Sequence, residues 1–98
     1  MEFRGEYNFL SNMYPSPFDM KGITFPSVEN CFQAMKTLNK LERVHIANLS
    51  AVEAKKFGRK VKLREDWDEI KLIVMYHAVK RKFLSNPDLA HKLINTGD

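Results

Sequence analysis

The chain has 98 residues, of which 44% are hydrophobic, 11% aromatic and 29% charged, enough for one small domain with a modest core. At a net charge of +4 that apolar content excludes a wholly disordered chain, and no run approaches the ~18 apolar residues that mark a membrane span. The opening MEFRGEYNFL carries an early acid and no long apolar run, unlike a secretory signal. The lone Cys31 offers no internal disulfide, which fits a reducing, cytoplasmic setting.

The first 26 residues read as a loop rich in rings: Phe3, Tyr7, Phe9, Tyr14, Phe18 and Phe25. Within them the stretch from Phe18 to Phe25 reads as a short hairpin turning at Lys21-Gly22. So small a hairpin needs helices to pack against. Ser27 is a good N-cap, and Val28, Cys31, Phe32, Met35 and Leu38 recur at helical spacing, predicting a helix over 27–38. A short helix is expected over 41–48. Ser50 and Glu53 form a capping box for a third helix, which Gly58 is placed to stop.

Asp66-Trp67-Asp68-Glu69 starts the longest helix, with three acids near its positive end, running to about Leu84. Its apolar residues (Ile70, Leu72, Ile73, Val74, Met75, Tyr76, Ala78, Val79 and Phe83) point around most of the circumference. That pattern predicts a central, mostly buried helix. Asn86-Pro87 opens a last helix that Gly97 ends. The fold class is therefore mainly α (α+β): a small single helical domain with a short N-terminal β-hairpin.

Lys and Arg number 16 against 12 Asp and Glu. Lys55, Lys56, Arg59, Lys60, Lys62 and Arg64 form one acid-free run, and Lys80-Arg81-Lys82 a second cluster. Either patch suits phosphates, on a nucleic acid or a small nucleotide, or is a solvated face.

Three groups of residues suggest a polar pocket. Glu29, Gln33 and Lys36 fall within an arc of roughly 60° on the first helix. A carboxylate, an amide and an ammonium in a row can orient a polar ligand and act on it. A plain exposed helix face with weak i,i+4 contacts is the competing reading. Arg59 follows a helix stop, where a guanidinium can bind phosphate through two hydrogen bonds. Asp66 and Trp67 pair a carboxylate with a ring, suited to a sugar and a base, or else serve as an N-cap and a core residue. Asn8-Phe9 and Tyr14 either wall a planar ligand or supply core. His45, His77 and His91 lack metal-ligand spacing, no activating base stands near Cys31, and Gly5, Gly22, Gly58 and Gly97 are too scattered for a phosphate loop.

The stretches FLSNMYPSPF, GITFPSVENCFQAMKT, AKKFGRKVKLREDWDEIKLIVMYHAVKRKF and LINTGD resemble the NADAR family (NAD- and ADP-ribose-associated), which contains the YbiA-type N-glycosidases. The resemblance runs over essentially the whole chain, in order. It implies a mostly helical domain that hydrolyses N-glycosidic bonds with no metal and no cofactor. The implied partners are a small-molecule ribosyl-phosphate or ADP-ribosyl substrate: an early riboflavin-pathway intermediate, or ADP-ribosylated guanine in nucleic acid. Such cleavage passes through an oxocarbenium-like state that a nearby carboxylate stabilises.

On the same resemblance Glu29 is the first candidate for the catalytic carboxylate, with Asp66 its partner or a ribose contact. Gln33 and Lys36 would orient ribose or phosphate. Arg59 would bind phosphate, Trp67 would stack on the base, and Asn8 and Phe9 would wall the pocket. Met13 stands where the family often has an aromatic residue, and Asn30 where it often has His. After LINTGD the family ordinarily continues, so residues 1–98 read as a single, C-terminally shortened NADAR domain. Two readings compete with an enzyme: an inert module that keeps an ADP-ribose or nucleotide pocket, and a nucleic-acid-binding accessory protein using the 55–64 patch.

Overall fold

In the computed structural model, which describes residues 5–96, a two-stranded hairpin docks on five helices. A 3₁₀ turn, Gly5–Leu10, precedes strands β1 (Phe18–Met20) and β2 (Ile23–Phe25), paired antiparallel with Phe18 opposite Phe25. Lys21 (φ 55°) and Gly22 (φ 75°) both take positive φ, the two-residue turn whose twist suits a hairpin. Each strand buries its end residues and exposes its middle one, so Phe18, Met20, Ile23 and Phe25 enter the core. The expected contribution of Phe3 and the helix end at Gly97 lie outside the described residues.

Helix α1 (Val28–Ala34) carries Val28, Cys31 and Ala34 into that core. Its N-cap is the expected Ser27, whose Oγ accepts from the Asn30 N–H at 3.2 Å. The helix stops at Ala34 rather than continuing to 38, and Leu38, expected on the apolar stripe, is 69% exposed. The reason lies in distant sequence. The Met35 carbonyl accepts from Arg64 Nη1 (3.4 Å), the Lys36 carbonyl from the Arg64 N–H (2.8 Å) and the Thr37 carbonyl from Arg43 Nε (2.8 Å). Carbonyls satisfied from outside need no further helical turn, and cations suit this end of a helix.

Helices α2 (Lys40–Ala47) and α3 (Ala51–Phe57) follow, capped by Asn39 and by the complete Ser50–Glu53 capping box. Asn30 binds α1 to the end of α2: its Nδ2 donates to the carbonyls of Ile46 (2.9 Å) and Leu49 (2.8 Å), and its Oδ1 accepts from Ser27 Oγ at 2.6 Å. Asn30 is fully buried, so this amide is a structural joint of the fold.

Helix α4 (Trp67–Ser85) is the longest, as expected, but not mostly buried. Only Trp67, Ala78 and Lys82 are buried, whereas Leu72 (79%), Ile73 (56%) and Tyr76 (61%) lie open. One stripe of α4, with Ile70, Val74, Met75 and Val79 alongside Ala78, meets α1 and β1. Its remaining apolar side chains have no layer above them among the described residues. Asp66 does not cap it with its side chain, which is held by Arg64 instead. Helix α5 (Pro87–Thr96) starts with proline at its first position. Before it, Asn86 Nδ2 donates to the Pro17 and Lys82 carbonyls, tying the helix junction to the hairpin's entry. Among the described residues no helix is long and apolar enough to cross a membrane.

Lys82 overturns part of the charge reading. It is 1% exposed, so Lys80-Arg81-Lys82 is not a continuous surface patch. The 55–64 run is mostly open: Lys55, Lys56, Arg59, Lys60 and Lys62 are exposed, while Arg64 is half-buried and ion-paired.

Candidate active site

Of the expected row, Glu29 and Gln33 lie on α1, whereas Lys36 falls past its end at Ala34. Glu29 lies in the first turn, half-buried, and its N–H donates to the Asn12 carbonyl at 2.9 Å, which fixes the opening loop to the helix start. One turn on, Gln33 Nε2 donates to Glu29 Oε2 at 2.9 Å. Gln33 is only 5% exposed, and its Oε1 has no hydrogen-bond partner among the described residues. Lys36 is half-buried, with Nζ 6.0 Å from the Phe32 ring centroid. Burial pulls the Lys36 ammonium below the ordinary lysine range; the Glu29 charge opposes this and the Arg59 charge adds to it. Glu29, Gln33, Lys36 and Arg59 therefore share one electrostatic neighbourhood, drawn from α1, the turn that follows it and the turn after α3.

The other expected residues are engaged elsewhere. Arg64 grips Asp66 through Nε to Oδ1 (2.6 Å) and Nη2 to Oδ2 (3.2 Å). That hydrogen bonding holds the Asp66 carboxyl below its usual range, against a smaller opposing effect of burial. Because Arg64 also closes the end of α1, Asp66 orients the arginine that finishes the helix, and no contact among the described residues joins it to Glu29. Trp67 is 6% exposed and meets the Phe32 ring edge-on, centroids 5.0 Å apart, as a core residue does. Phe9 is 1% exposed, with its ring beneath Lys92 Nζ (5.7 Å) and its carbonyl accepting from Lys82. Asn8 is exposed, and its carbonyl accepts from the Ser11 N–H.

Two grooves flank the end of α1. One, of about 560 Å³, is lined by Thr37, Asn39, Glu42, Lys62, Arg64 and Asp66 among others. The second, of about 620 Å³, has an apolar floor including Met35, Ile70 and Val74, and a rim of Lys21, Arg43 and Arg81. Neither is lined by Glu29, Gln33 or Lys36. Among the described residues no three His, Cys, Asp or Glu side chains gather as metal ligands would.

Sequence reasoning gave no separate role to Arg64, which it counted only within a basic run. An arginine two residues before a helix-opening aspartate was the available signal. The structural weight of Asn30 and Lys82 had no local signal.

An amide-held carboxylate beside an ammonium and a guanidinium can stabilise a developing cation, take a proton from water and neutralise an anionic group. Residues 2–98 match the NADAR domain family, and the chain belongs to it. It is 36% identical over 95 residues to a riboflavin biosynthesis protein of Vibrio vulnificus, a match covering 94% of this chain and 26% of that one. It is 33% identical over 94 residues to the N-glycosidase YbiA of Escherichia coli, covering 93% and 59% respectively. An N-glycosidase of Nostoc punctiforme matches at 33% over 98 residues, covering 94% and 63%. The solved NMR structure of E. coli YbiA superimposes with a TM-score of 0.77 at 32% identity, covering 91% of this chain and 56% of that one. The fold is that of YbiA, and the chain spans less than two thirds of these relatives' length.

Proposed function

We propose that this chain is an N-glycosidase that hydrolyses the bond between a heterocyclic base and a phosphorylated ribose or ADP-ribose. Glu29 stabilises the oxocarbenium-like state and takes a proton from the attacking water. The C–N bond pair leaves with the base, which gains a proton from Lys36, an ammonium made more acidic by burial. Arg59 holds the phosphate, and Gln33 fixes the carboxylate. Early riboflavin-pathway intermediates and ADP-ribosylated guanine are the substrate classes, in a cytoplasmic setting where Cys31 stays reduced. The observation that carries the reading is the buried Gln33 amide donating to Glu29 at 2.9 Å, since a solvated helix face gives no reason to bury it. The names of the relatives support the reaction class.

The test incubates the protein with ribosylaminopyrimidine 5-phosphate and with DNA ADP-ribosylated on guanine, then separates free base and sugar. Release that is lost in Glu29→Gln is expected. Ligand-induced stabilisation without release in the native chain would overturn the enzyme reading in favour of a binding module.

A further inference from the structure

Gly58 ends α3 with φ −60° and ψ −19°, a right-handed conformation open to any residue. Its backbone does not call for glycine, and alanine would ordinarily stabilise such a position by restricting the unfolded chain. What excludes a side chain is Gln33. A Cβ at position 58 would lie 1.9 Å from Gln33 Oε1, 2.8 Å from its Cδ and 3.2 Å from its Cβ. Relieving the first two contacts requires the buried Gln33 amide to move, which disturbs its bond to Glu29, and the third contact remains. The amide has one orientation here, because an ionised carboxylate only accepts hydrogen bonds. Its NH2 faces Glu29 and its oxygen is left against the bare Cα of Gly58, without a partner among the described residues.

We propose that Gly58 is a positioning residue. The empty space where its side chain would be lets the Gln33 amide lie flat and aim the Glu29 carboxylate. The catalytic meaning rests on the N-glycosidase reading, whereas the seating of Gln33 stands on the packing alone. One glycine on α3 thereby sets the geometry of a carboxylate on α1.

Four chains test this: native, Gly58→Ala, Gln33→Ala and the double variant, compared by urea unfolding, by NMR of the side-chain amide of Gln33, and by base release from ribosylaminopyrimidine 5-phosphate. In the native background Gly58→Ala is expected to lower the folding constant about tenfold, as overpacking does. The Gln33 amide signals should move to the position of a solvated glutamine, and kcat should fall more than KM rises. In the Gln33→Ala background, where only the 3.2 Å contact with the Cβ of residue 33 remains, the same substitution should lower the folding constant far less than in the native chain, with turnover no lower than that of Gln33→Ala alone. An equal stability change in both backgrounds, or unmoved Gln33 signals in Gly58→Ala, overturns the proposal. If Gly58→Ala does not fold, recovery of folding in the double variant supports it and failure there overturns it. Absence of base release from the native chain refutes the enzyme reading, while the unfolding and NMR arms still decide what Gly58 does.

Discussion

Lys82 gives the sharpest quantitative test of this fold. Its side chain is buried in α4, with Nζ donating to the Phe9 carbonyl (2.5 Å) and the Ser11 carbonyl (2.9 Å) and lying 5.8 Å from the Tyr14 ring centroid and 5.3 Å from that of Phe83. Burial lowers its pKa from 10.5 to about 8. In the unfolded chain it returns to its ordinary value, so between about pH 8 and 10.5 the unfolded chain binds more protons and stability rises with pH. At about 1.4 kcal/mol per tenfold change in proton affinity, the rise is ~3 kcal/mol at most, and ~2 kcal/mol once the carbonyl partners' preference for the charged form is allowed for. Cys31 works in the opposite direction. Burial pushes its thiol from 9.0 up to about 12, so above pH 9 the unfolded chain loses a proton that the folded one keeps, and stability falls.

Comparison with Lys82→Met removes the cysteine contribution, which both chains share. The variant takes the Lys82 donor from the Phe9 and Ser11 carbonyls, of which Ser11 keeps the Tyr14 N–H, a penalty that does not depend on pH. Urea unfolding followed by fluorescence of Trp67, the single tryptophan, between pH 7 and 11 measures both chains. The native chain should gain ~2–3 kcal/mol on the variant between pH 7.5 and 10.5. Parallel stability curves would refute the argument, since Lys82 would then carry its ordinary proton affinity inside the fold.

Replacing Asn30 with alanine removes three hydrogen bonds at once and leaves the Leu49 carbonyl without that donor, while Ile46 keeps the Leu49 N–H, so urea unfolding should show a loss of ~3 kcal/mol. Cys31, buried and with its thiol held protonated, should resist iodoacetamide at pH 8 in the folded chain and react on unfolding, as mass spectrometry would show. Leu72→Lys should change stability by less than ~0.5 kcal/mol, because the side chain is already 79% exposed, whereas the same charge at the fully buried Ala78 should prevent folding.

What could be read from the sequence was what neighbouring residues decide. Lys21-Gly22 fixes a two-residue turn, Ser50 and Glu53 cap each other, and Pro87 starts a helix, because each effect acts within four residues. The end of α1 could not be read that way. Arg64, 29 residues beyond Met35, and Arg43, six beyond Thr37, donate to the carbonyls just past the helix, outside the reach of its own pattern. Helix α4 misled for a related reason. Apolar residues around its circumference record what the side chains are, whereas burial depends on which layers the described chain sets against them, and only one stripe is covered. Lys82 sits in a run of cations that reads as solvated, yet carbonyls of the chain's opening segment accept its hydrogen bonds.

The site divides along the same line. Glu29 and Gln33 were legible as a pair because helical spacing places them on one face, whereas Lys36, expected beside them, lies past the helix end. Spacing could not separate a fixed Glu–Gln pair from a solvated one, and burial does. An exposed Glu–Gln pair at i,i+4 contributes a few tenths of a kcal/mol and leaves both side chains free to exchange with water. Here Gln33 is 5% exposed with one amide oxygen unpaired, an arrangement costing ~1–3 kcal/mol in desolvation. A fold that bears such a cost at one glutamine while directing the other end of its amide at a half-buried carboxylate is holding that carboxylate still. Lys36 and Arg59 place positive charge near it. Asp66, equally acidic in sequence, is neutralised by Arg64 and spends its charge on the fold. The two carboxylates are thus told apart by their hydrogen-bond partners: an amide holds Glu29, and a guanidinium is ion-paired with Asp66.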